Sequence, residues 1–210
     1  MNINKFKNGG GNQFPPMSPG TYPAVCSGVI DIGTQSTEYN GEHKTQNQLI
    51  LMFDFPTETV EIDGQQNPRC LSLKLTKSVH EKSALRKHLI AWRGRDFTED
   101  ELKDFELSRL LGVSANITVI QKDYNGKTYS NISAIGKPMK GTEQKATRKI
   151  YFDMQDTETY GAIEELPDWM VCLINKSAEA IATKWIFSKK QDVSKTTEQV
   201  DDATNDDVPF

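Results

Sequence analysis

The sequence predicts a mainly β protein with a helical insertion, and two observations carry this prediction. Five segments have the alternating or β-branched pattern of strands, and turn dipeptides separate two pairs of them. Between the third and fourth segments, the apolar period lengthens to that of a helix. The resulting order is three strands, a helical connection and two strands.

The first three strands follow one another closely. "YPAVCSGVIDIG" is rich in β-branched and small residues, and Asn40-Gly41 is a hairpin signal before "NQLILMFDF". In "RCLSLKLTK" the leucines alternate with Ser72, Lys74 and Thr76. This third strand is therefore expected to have one buried face and one wet face.

Two capping boxes indicate helices after the third strand. Ser78 and Glu81 predict the start of one helix, on which Leu85, Leu89 and Trp92 share a face. Thr98-Glu-Asp-Glu predicts a second helix that ends near Gly112. The strands "SANITVIQKDY" and "KTYSNISAI" follow, joined at Asn125-Gly126, so the insertion spans 78–111.

This order matches the five-stranded OB-fold barrel, which has a helix between its third and fourth strands. An unrelated α+β sandwich would show the same order. The barrel is expected over residues 21–136, after a flexible, Asn-, Gly- and Pro-rich arm at 1–20. Residues 137–190 are expected to form a basic linker and a C-terminal helix packed on the barrel, with the helix over about 168–185. Residues 191–210 read as a disordered acidic tail.

Charge is distributed unevenly along the 210 residues, whose net charge is −4. From Asp192 to Phe210 there are six acids and one base, whereas Arg69–Arg95 contains eight bases and one acid. Lys137–Lys149 contains five bases and one acid. An acidic tail can compete with other polyanions for a basic surface, although solvated faces and a solubilising tail explain the same pattern.

Several functional classes find no support in the sequence. No apolar run approaches the length of a membrane span, and the N-terminal residues lack a signal-peptide core, so we expect a cytoplasmic protein with no membrane partner. Cys26, Cys70 and Cys172 lie far apart, which fits reduced structural thiols and no metal site. No phosphate-cradling glycine loop or nucleophile elbow is present, so we expect no enzyme activity, catalytic residues or cofactor.

One enzyme class stays open as an alternative. The carboxylates of Asp54, Glu58, Glu61 and Asp63 are of the kind that binds Mg²⁺ in a nuclease. They occupy a strand end and a loop, so a solvated loop is the simpler interpretation. His88, beside Leu85 and Leu89, fits a boundary position better than a catalytic one.

Lysine and tyrosine residues on the predicted hairpins and third strand suggest a single-stranded nucleic-acid site. Cations bind phosphates, and aromatic rings stack on bases without regard to base identity. Tyrosines that merely pack at a hairpin end are the competing explanation. The candidate DNA-binding residues are Tyr39, Lys44, Arg69, Lys74, Lys77, Lys122, Tyr124, Lys127 and Tyr129.

The chain ends in two carboxylates, an apolar residue, a proline and a terminal phenylalanine. A disordered segment of this kind offers its ring and terminal carboxylate to a shallow apolar pocket rimmed by bases. Acids before the ring add electrostatic steering, and the proline restricts the backbone. The candidate partner-binding residues are Asp206, Asp207, Val208, Pro209 and Phe210.

These five residues resemble the C-terminal tip of bacterial single-stranded DNA-binding proteins, which ends Asp-Asp-Ile-Pro-Phe after an acidic linker. Val208 is the one departure. The body does not resemble the bacterial barrel. Its "VCSGVIDIGTQSTEYNGEHKTQNQLILMFDFP", "HEKSALRKHLIAWRGRDFTEDEL" and "NGKTYSNISAIG" are similar to phage-encoded proteins regarded as OB-fold single-stranded DNA-binding proteins. These stretches cover most of residues 24–136.

The resemblance implies a protein that coats and protects single-stranded DNA, with little sequence preference, during phage DNA replication and recombination. It also implies that the tip recruits host or phage replication and recombination proteins, in the cytoplasm of a bacterial host. A homodimer is compatible with one barrel per chain. The alternative is an OB-fold adaptor that binds a protein rather than DNA.

Overall fold

A nearly closed barrel of five antiparallel strands forms the centre of the computed structural model, which describes residues 14–39, 42–62 and 64–189. The order across the sheet is β3-β2-β1-β4-β5, and the edge strands β3 and β5 approach each other. The predicted order of three strands, helices and two strands is confirmed. The strands are β1 Gly20–Tyr39, β2 Glu42–Ile62, β3 Gln65–Thr76, β4 Ser114–Tyr124 and β5 Lys127–Gly136.

The second hairpin turn is confirmed. Asn125 and Gly126 have φ values of 51° and 72°, and Tyr124 pairs with Lys127 to close the turn. Both residues adopt the left-handed conformation that Asn and Gly tolerate best. The Asn40-Gly41 dipeptide lies outside the described residues, and β1 and β2 are paired up to Tyr39 and Glu42.

The barrel interior is filled by inward-facing side chains and covered at one end by helix α1, Ala84–Arg93. Leu85, Leu89 and Trp92 of α1 are buried against the barrel, as the sequence predicts. The Trp92 Nε1 donates a hydrogen bond of 2.6 Å to the Ser114 carbonyl oxygen, which ties α1 to the start of β4. The strands contribute Ala24, Cys26, Val29, Leu49, Leu51, Phe53, Phe55, Leu75, Ala115, Ile117, Val119, Ile132 and Ile135.

Residues 14–19 bridge the two edge strands. Met17 is buried, and its backbone N–H donates to the Ser130 Oγ of β5 at 2.7 Å. The Arg69 guanidinium of β3 donates to the Pro15 carbonyl oxygen at 2.6 Å. This end of the predicted flexible arm is therefore part of the barrel's packing, and residues 1–13 lie outside the described chain.

A second core covers the outer face of β1 and β2. Strand β6, Ile150–Phe152, pairs in parallel with Gly28–Ile30 of β1. A 3₁₀ helix (Thr157–Glu165), α3 (Asp168–Asn175) and α4 (Ala178–Thr183) complete the layer. The buried side chains of this layer pack against outward-facing side chains of β1 and β2. The strands β1 and β2 contribute Ile30, Ile32, Ile50 and Met52, and the layer contributes Ile150, Phe152, Met154, Ile163, Leu166, Met170, Val171, Ile174 and Ala180.

Close packing explains why the residue of β1 that contacts this layer at position 33 is glycine. Gly33 has a φ of 68°, and a Cβ there would lie 2.5 Å from the Met154 Sδ and 2.7 Å from the Ser177 Cβ. A side chain at this position would force the C-terminal layer away from the strand. No periodic signal marks β6 in the sequence, because three residues are too few to show one.

Two helix boundaries in the insertion differ from the prediction. Helix α1 begins after Ser83, whose Oγ accepts from the Arg86 N–H at 3.1 Å, and not at Ser78. Ser78 Oγ instead accepts the His80 N–H, a local bond that competes with a helix start. The capping box of α2, Glu99–Lys103, is confirmed. That helix ends well before Gly112, with a separate 3₁₀ turn at Leu107–Leu110.

The predicted C-terminal helix is two helices rather than one. Ser177 is buried, and its Oγ accepts the Ala180 N–H, so it caps a new helix, α4. Met170 and Ile174 of the predicted stripe are buried, while Ile181 is 67% exposed and Trp185 is 39% exposed. Across the described residues, no helix has both the length and the apolar character that a bilayer crossing requires.

Candidate nucleic-acid interface

Four of the predicted DNA-binding residues share one face of the β4–β5 hairpin. Lys122 stands opposite Tyr129, and Tyr124 stands opposite Lys127. Residues directly opposite in an antiparallel pair share a face, as do alternate residues of a strand. Ala115, Ile117 and Val119 of β4 have the other parity and are buried, so the four residues point away from the core.

The shared face is accessible. Tyr124 is 69% exposed, Lys122 and Lys127 are exposed, and Tyr129 is half-buried. The acid of this hairpin, Asp123, has the opposite parity, and its Oδ1 accepts the Thr128 hydroxyl at 2.6 Å. The face therefore presents two rings and two ammonium groups without a carboxylate between them.

The polar character of this face continues toward β1. The hydroxyl groups of Thr21 and Thr118 lie 3.1 Å apart across the β1–β4 pairing. On β5, Asn131 has the same outward parity as Tyr129. The outward side chains of β4 and β5 between the hairpin tip and the first strand thus include polar Thr118 and Asn131, together with Ile120 and Ala134.

Some of the remaining candidate residues are exposed, and others form contacts within the protein. Lys74 is exposed beside Ser72 on the outer side of β3, which confirms the predicted wet parity of that strand. Lys44 is exposed on β2. Tyr39 is the last residue of β1, and its side chain is not among the described ones.

Lys77 and Arg69 have structural contacts. The Lys77 Nζ lies 2.6 Å from the Asp31 Oδ2, and the two side chains are 28% and 8% exposed. Arg69 shares the parity of Leu71 and holds the Pro15 carbonyl, so it does not lie on the face of Lys74. These two bases stabilise the barrel through contacts that reach 46 and 54 residues along the chain.

The two hairpins occupy opposite ends of β1. Residues 20–25 of β1 pair with β4, whereas residues 25–39 pair with β2. The β4–β5 turn therefore extends beyond the N-terminal end of β1, and the β1–β2 turn follows its C-terminal end. The sheet does not join the candidates of the two hairpins into one cluster.

Part of the outer surface of β2 is covered by the C-terminal layer. Ile50 pairs with Lys74 and Met52 pairs with Ser72, so these four positions share a face. Ile50 and Met52 are buried by the C-terminal layer, which leaves Ser72 and Lys74 at its margin. The outer surface of β2 is therefore closed at Ile50 and Met52, whereas Ser72 and Lys74 of β3 remain exposed.

A buried ion pair fixes this cover. The Arg148 Nε and Nη2 donate to the two carboxylate oxygens of Asp54 at 2.8 and 2.6 Å, and the side chains are 11% and 4% exposed. Hydrogen bonds to Asp54 raise the pKa of Arg148 against the lowering effect of burial. Burial, followed by the nearby Asp54 charge, raises the pKa of the Cys70 thiol.

Asp54 is thus committed to Arg148 rather than open to a metal ion. In the described parts of the chain, no three His, Cys, Asp or Glu side chains converge as a metal-binding group. His88 is half-buried on α1, and this burial lowers the pKa of its imidazole. Asp63 lies outside the described residues, while Glu58 is half-buried and Glu61 is exposed on β2.

The helical insertion forms an apolar groove that sequence reasoning missed. It has a volume of about 570 Å³, with Trp92, Phe97, Phe105 and Leu110 among its lining residues. Arg93 lies 4.7 Å from the centre of the Phe97 ring and, with Arg95, binds the Glu101 carboxylate. Hydrogen bonds from Arg95 and Arg93 hold the pKa of Glu101 well below its usual range. The groove exists because α2 ends early, which the capping signals did not reveal.

Comparison with known proteins adds no family to these observations. No protein-family model matches the chain, and no curated protein matches it. The predicted partner-binding tip, Asp206–Phe210, lies outside the described residues. The geometry of the β4–β5 face therefore carries the functional argument.

Proposed function

We propose that this protein binds single-stranded DNA with little sequence preference, through an OB-type barrel. The observation that carries the proposal is the shared, exposed face of Lys122, Tyr124, Lys127 and Tyr129. Ammonium groups neutralise phosphates, and rings accept any base by stacking, each base being worth about 1–3 kcal/mol. Neither contact reads a sequence, so the binding is general.

The barrel geometry supports the OB assignment. Five strands in the order β3-β2-β1-β4-β5, with edge strands that approach each other, give a partly open barrel with α1 between the third and fourth strands. OB barrels bind oligonucleotides with the loop between strands 4 and 5 as well as with strands 2 and 3. Here the cover on β2 shifts the site toward the β4–β5 hairpin and the margin of β3.

In this proposal the protein coats transient single strands and protects them during phage DNA replication and recombination in a bacterial host. The acidic tail ending in Phe210 recruits replication and recombination proteins, since a terminal ring and carboxylate suit a basic-rimmed apolar pocket. DNA and the tail carry the same sign of charge, so DNA displaces the tail from basic surface. No metal or cofactor takes part.

The direct test is fluorescence anisotropy of a labelled mixed-sequence single strand, with the same strand as a duplex for comparison. We expect sub-micromolar binding to the single strand that weakens between about 50 and about 200 mM salt. A triple variant, Lys122→Gln, Tyr124→Ala and Lys127→Gln, should lose at least about tenfold in affinity. A matched control, Lys82→Gln, Trp169→Ala and Lys176→Gln, changes two exposed lysines and one exposed aromatic residue elsewhere and should bind normally.

Equal affinity of the triple variant and the wild type would remove the β4–β5 face from the proposal. Deletion of Asp206–Phe210 should leave the affinity unchanged or raise it, because a competing polyanion is removed. A deletion that abolishes DNA binding would contradict the assigned role of the tail.

A second candidate function, a protein-binding adaptor, has one observation in its favour. The apolar groove between α1 and residues 97–113 offers aromatic surface for a protein segment. An adaptor of this kind has no salt-dependent DNA affinity. Wild-type protein that binds neither the single strand nor the duplex in the anisotropy test would favour it.

A further inference from the structure

Residues 137–149 link β5 to β6 and cross the outside of the barrel. Their first anchor is Ser114 at the start of β4, whose Oγ donates to the Gln144 carbonyl oxygen and accepts from the Gln144 N–H, both at 2.8 Å. Their second anchor is the ion pair between Arg148 and Asp54 of β2. We call residues 137–149 the basic strap.

The strap lies on the outer face of the sheet. Val25 of β1 pairs with Ser114 of β4 on one side and with Asp54 of β2 on the other. Ser114 and Asp54 are both at positions that face outward from the barrel. Val25 is itself fully buried although it has the same outward parity. The strap therefore runs across β4, β1 and β2 at the border between the open β4–β5 face and the covered β1–β2 face.

Four lysines of the strap are exposed, at Lys137, Lys140, Lys145 and Lys149. Within residues 14–39, 42–62 and 64–189, none of these four forms an ion pair. The acid of the strap, Glu143, accepts the Gly141 N–H at 2.9 Å and so faces its own turn. The charge of Arg148 is matched by Asp54, so the uncompensated charge of the strap comes from these lysines.

Packing restrains two of the lysine stems. A Cβ on Gly112 would lie 2.7 Å from the Lys149 Cε, and a Cβ on Gly94 would lie 3.4 Å from the Lys137 Cδ. Both glycines have positive φ values, and each lies under the aliphatic part of a lysine. The ammonium groups at the two ends of the strap are therefore held near the barrel rather than on a free loop.

The strap and the β4–β5 hairpin tip are joined by the ten-residue strand β5. At about 3.4 Å per residue, the two sites lie about 30 Å apart along the strand. The outer face between them carries the polar side chains of Thr21, Thr118 and Asn131, with Ile120 opposite Asn131. A strand of stacked nucleotides at about 3.4 Å each would need about nine nucleotides to join the two sites.

We propose that the basic strap is the second part of the DNA site, so that one single strand runs along the outer face of β4 and β5 from Tyr124 to the strap lysines. This inference rests on the proposed function and adds a direction and a length to it. The strap contributes phosphate contacts only, because it contains no aromatic residue. The stacking contacts come from the hairpin.

The test compares a short and a long oligothymidine, of about six and about sixteen nucleotides, bound to the full chain. The strap variant replaces Lys137, Lys140, Lys145 and Lys149 with Gln. We expect it to lose about tenfold or more in affinity for the long strand, and little for the short strand, which the hairpin accommodates alone. The slope of log affinity against log salt for the long strand should fall by up to about 3.

Two further variants make the comparison specific. The matched control replaces Lys82, Lys87, Lys103 and Lys176 with Gln, an equal change of charge at exposed positions in or beside the helices. It should retain wild-type affinity for both strands. Replacement of the four strap lysines with Arg keeps the charges and should restore long-strand binding. Thermal unfolding of each variant confirms that the fold is retained.

Each other outcome overturns the inference in a recognisable way. Wild-type affinity of the strap variant for the long strand would show that the strap is not a DNA contact. Equal losses for both lengths would indicate a general charge effect. A gain in DNA affinity would show that the strap binds the acidic tail instead. Wild-type protein that binds neither length would contradict the proposed function itself.

Discussion

The barrel has two outer faces of opposite character. On β2 the outward residues Ile50 and Met52 are apolar, and the chain's own C-terminal layer buries them. On β4 the outward positions near the hairpin are Lys122 and Tyr124, and both are exposed. β2 is therefore buried on both faces at Ile50 and Met52, whereas β4 is buried on its inner face only, although both strands belong to the same sheet. The β4–β5 face is therefore open to solvent, whereas the β2 face is not.

The difference is visible in the strand sequences. "LILMF" in β2 is a continuous apolar run, typical of a strand with two buried faces. β4 begins with buried Ala115, Ile117 and Val119 in alternation and ends in polar residues. The outward residues of a strand thus indicate whether another layer of the same chain covers them.

The largest effect is expected from breaking the cover. Asp54→Ala leaves the Arg148 charge buried without a partner, which typically costs about 3–5 kcal/mol. The free energy of unfolding from urea denaturation should fall by that amount. The control is Asp100→Ala, which removes an ion pair with Lys103 whose side chains are 90% and 71% exposed. It should change stability by less than about 1 kcal/mol. Similar effects of both variants would mean that the buried pair does not hold the cover in place.

A smaller effect, on binding alone, should come from the open face. Tyr124→Ala is expected to weaken single-strand binding by about 1–3 kcal/mol through loss of stacking. Its effect on stability should stay within about 0.5 kcal/mol, because the side chain is 69% exposed. Tyr124→Phe should bind almost normally. The aromatic control is Trp169→Ala on α3, beside the covered face, and anisotropy with a labelled strand should show no loss for it. A loss of affinity as large as that of Tyr124→Ala would place the ligand on the covered side.

The smallest effects should distinguish the three thiols by their surroundings. Cys172 is exposed on α3, while Cys26 is in the inner core and Cys70 pairs with Asp54 under the cover. Alkylation of the native protein near pH 8 should modify Cys172 quickly and the other two slowly, because protonated, buried thiols react poorly. Mass spectrometry of the peptides gives the three rates. Fast labelling of Cys70 in the native wild type would contradict a closed cover.

The Cys26 thiol also makes the free energy of unfolding depend on pH in the alkaline range. Burial raises the pKa of Cys26 from 9.0 to about 12. The unfolded chain therefore loses this proton first as the pH rises. The contribution of Cys26 to stability is complete below about pH 9 and is lost progressively between pH 9 and 12. Cys26→Ala should flatten this decline in urea denaturation series, and an unchanged slope would exclude Cys26 as its source.

Local signals predicted much of the barrel. The alternation in β3 and β4, the Asn125-Gly126 turn and the Thr98 capping box each depend on residues close together in sequence, and each is confirmed. The C-terminal layer was not predictable in the same way, because β6 has three residues and its partner on β1 is more than 100 residues away. Lys77 was predicted to contact DNA because it is a base after the third strand. It forms an ion pair with Asp31 instead, and this contact depends on tertiary packing.

The candidate site was predicted as a set of residues but not as a surface. Parity within the hairpin placed Lys122, Tyr124, Lys127 and Tyr129 together, since cross-strand pairing follows from the turn. The position of the β4–β5 hairpin relative to the β1–β2 hairpin depends on which part of β1 pairs with β4 and which part pairs with β2. No local sequence pattern encodes this division. The strap was visible only as a basic run, and its place on the barrel follows from Ser114 and Asp54.

Residues 14–19 also have a consequence for solubility. The edge strands β3 and β5 are where a second molecule would add a strand, and unprotected edges promote aggregation. The segment that bridges them contains Pro15, Pro16 and Pro19, none of which has an N–H to donate. A cover of this composition shields both edges without offering an edge of its own, so a neighbouring molecule has no open ladder to extend at residues 14–19.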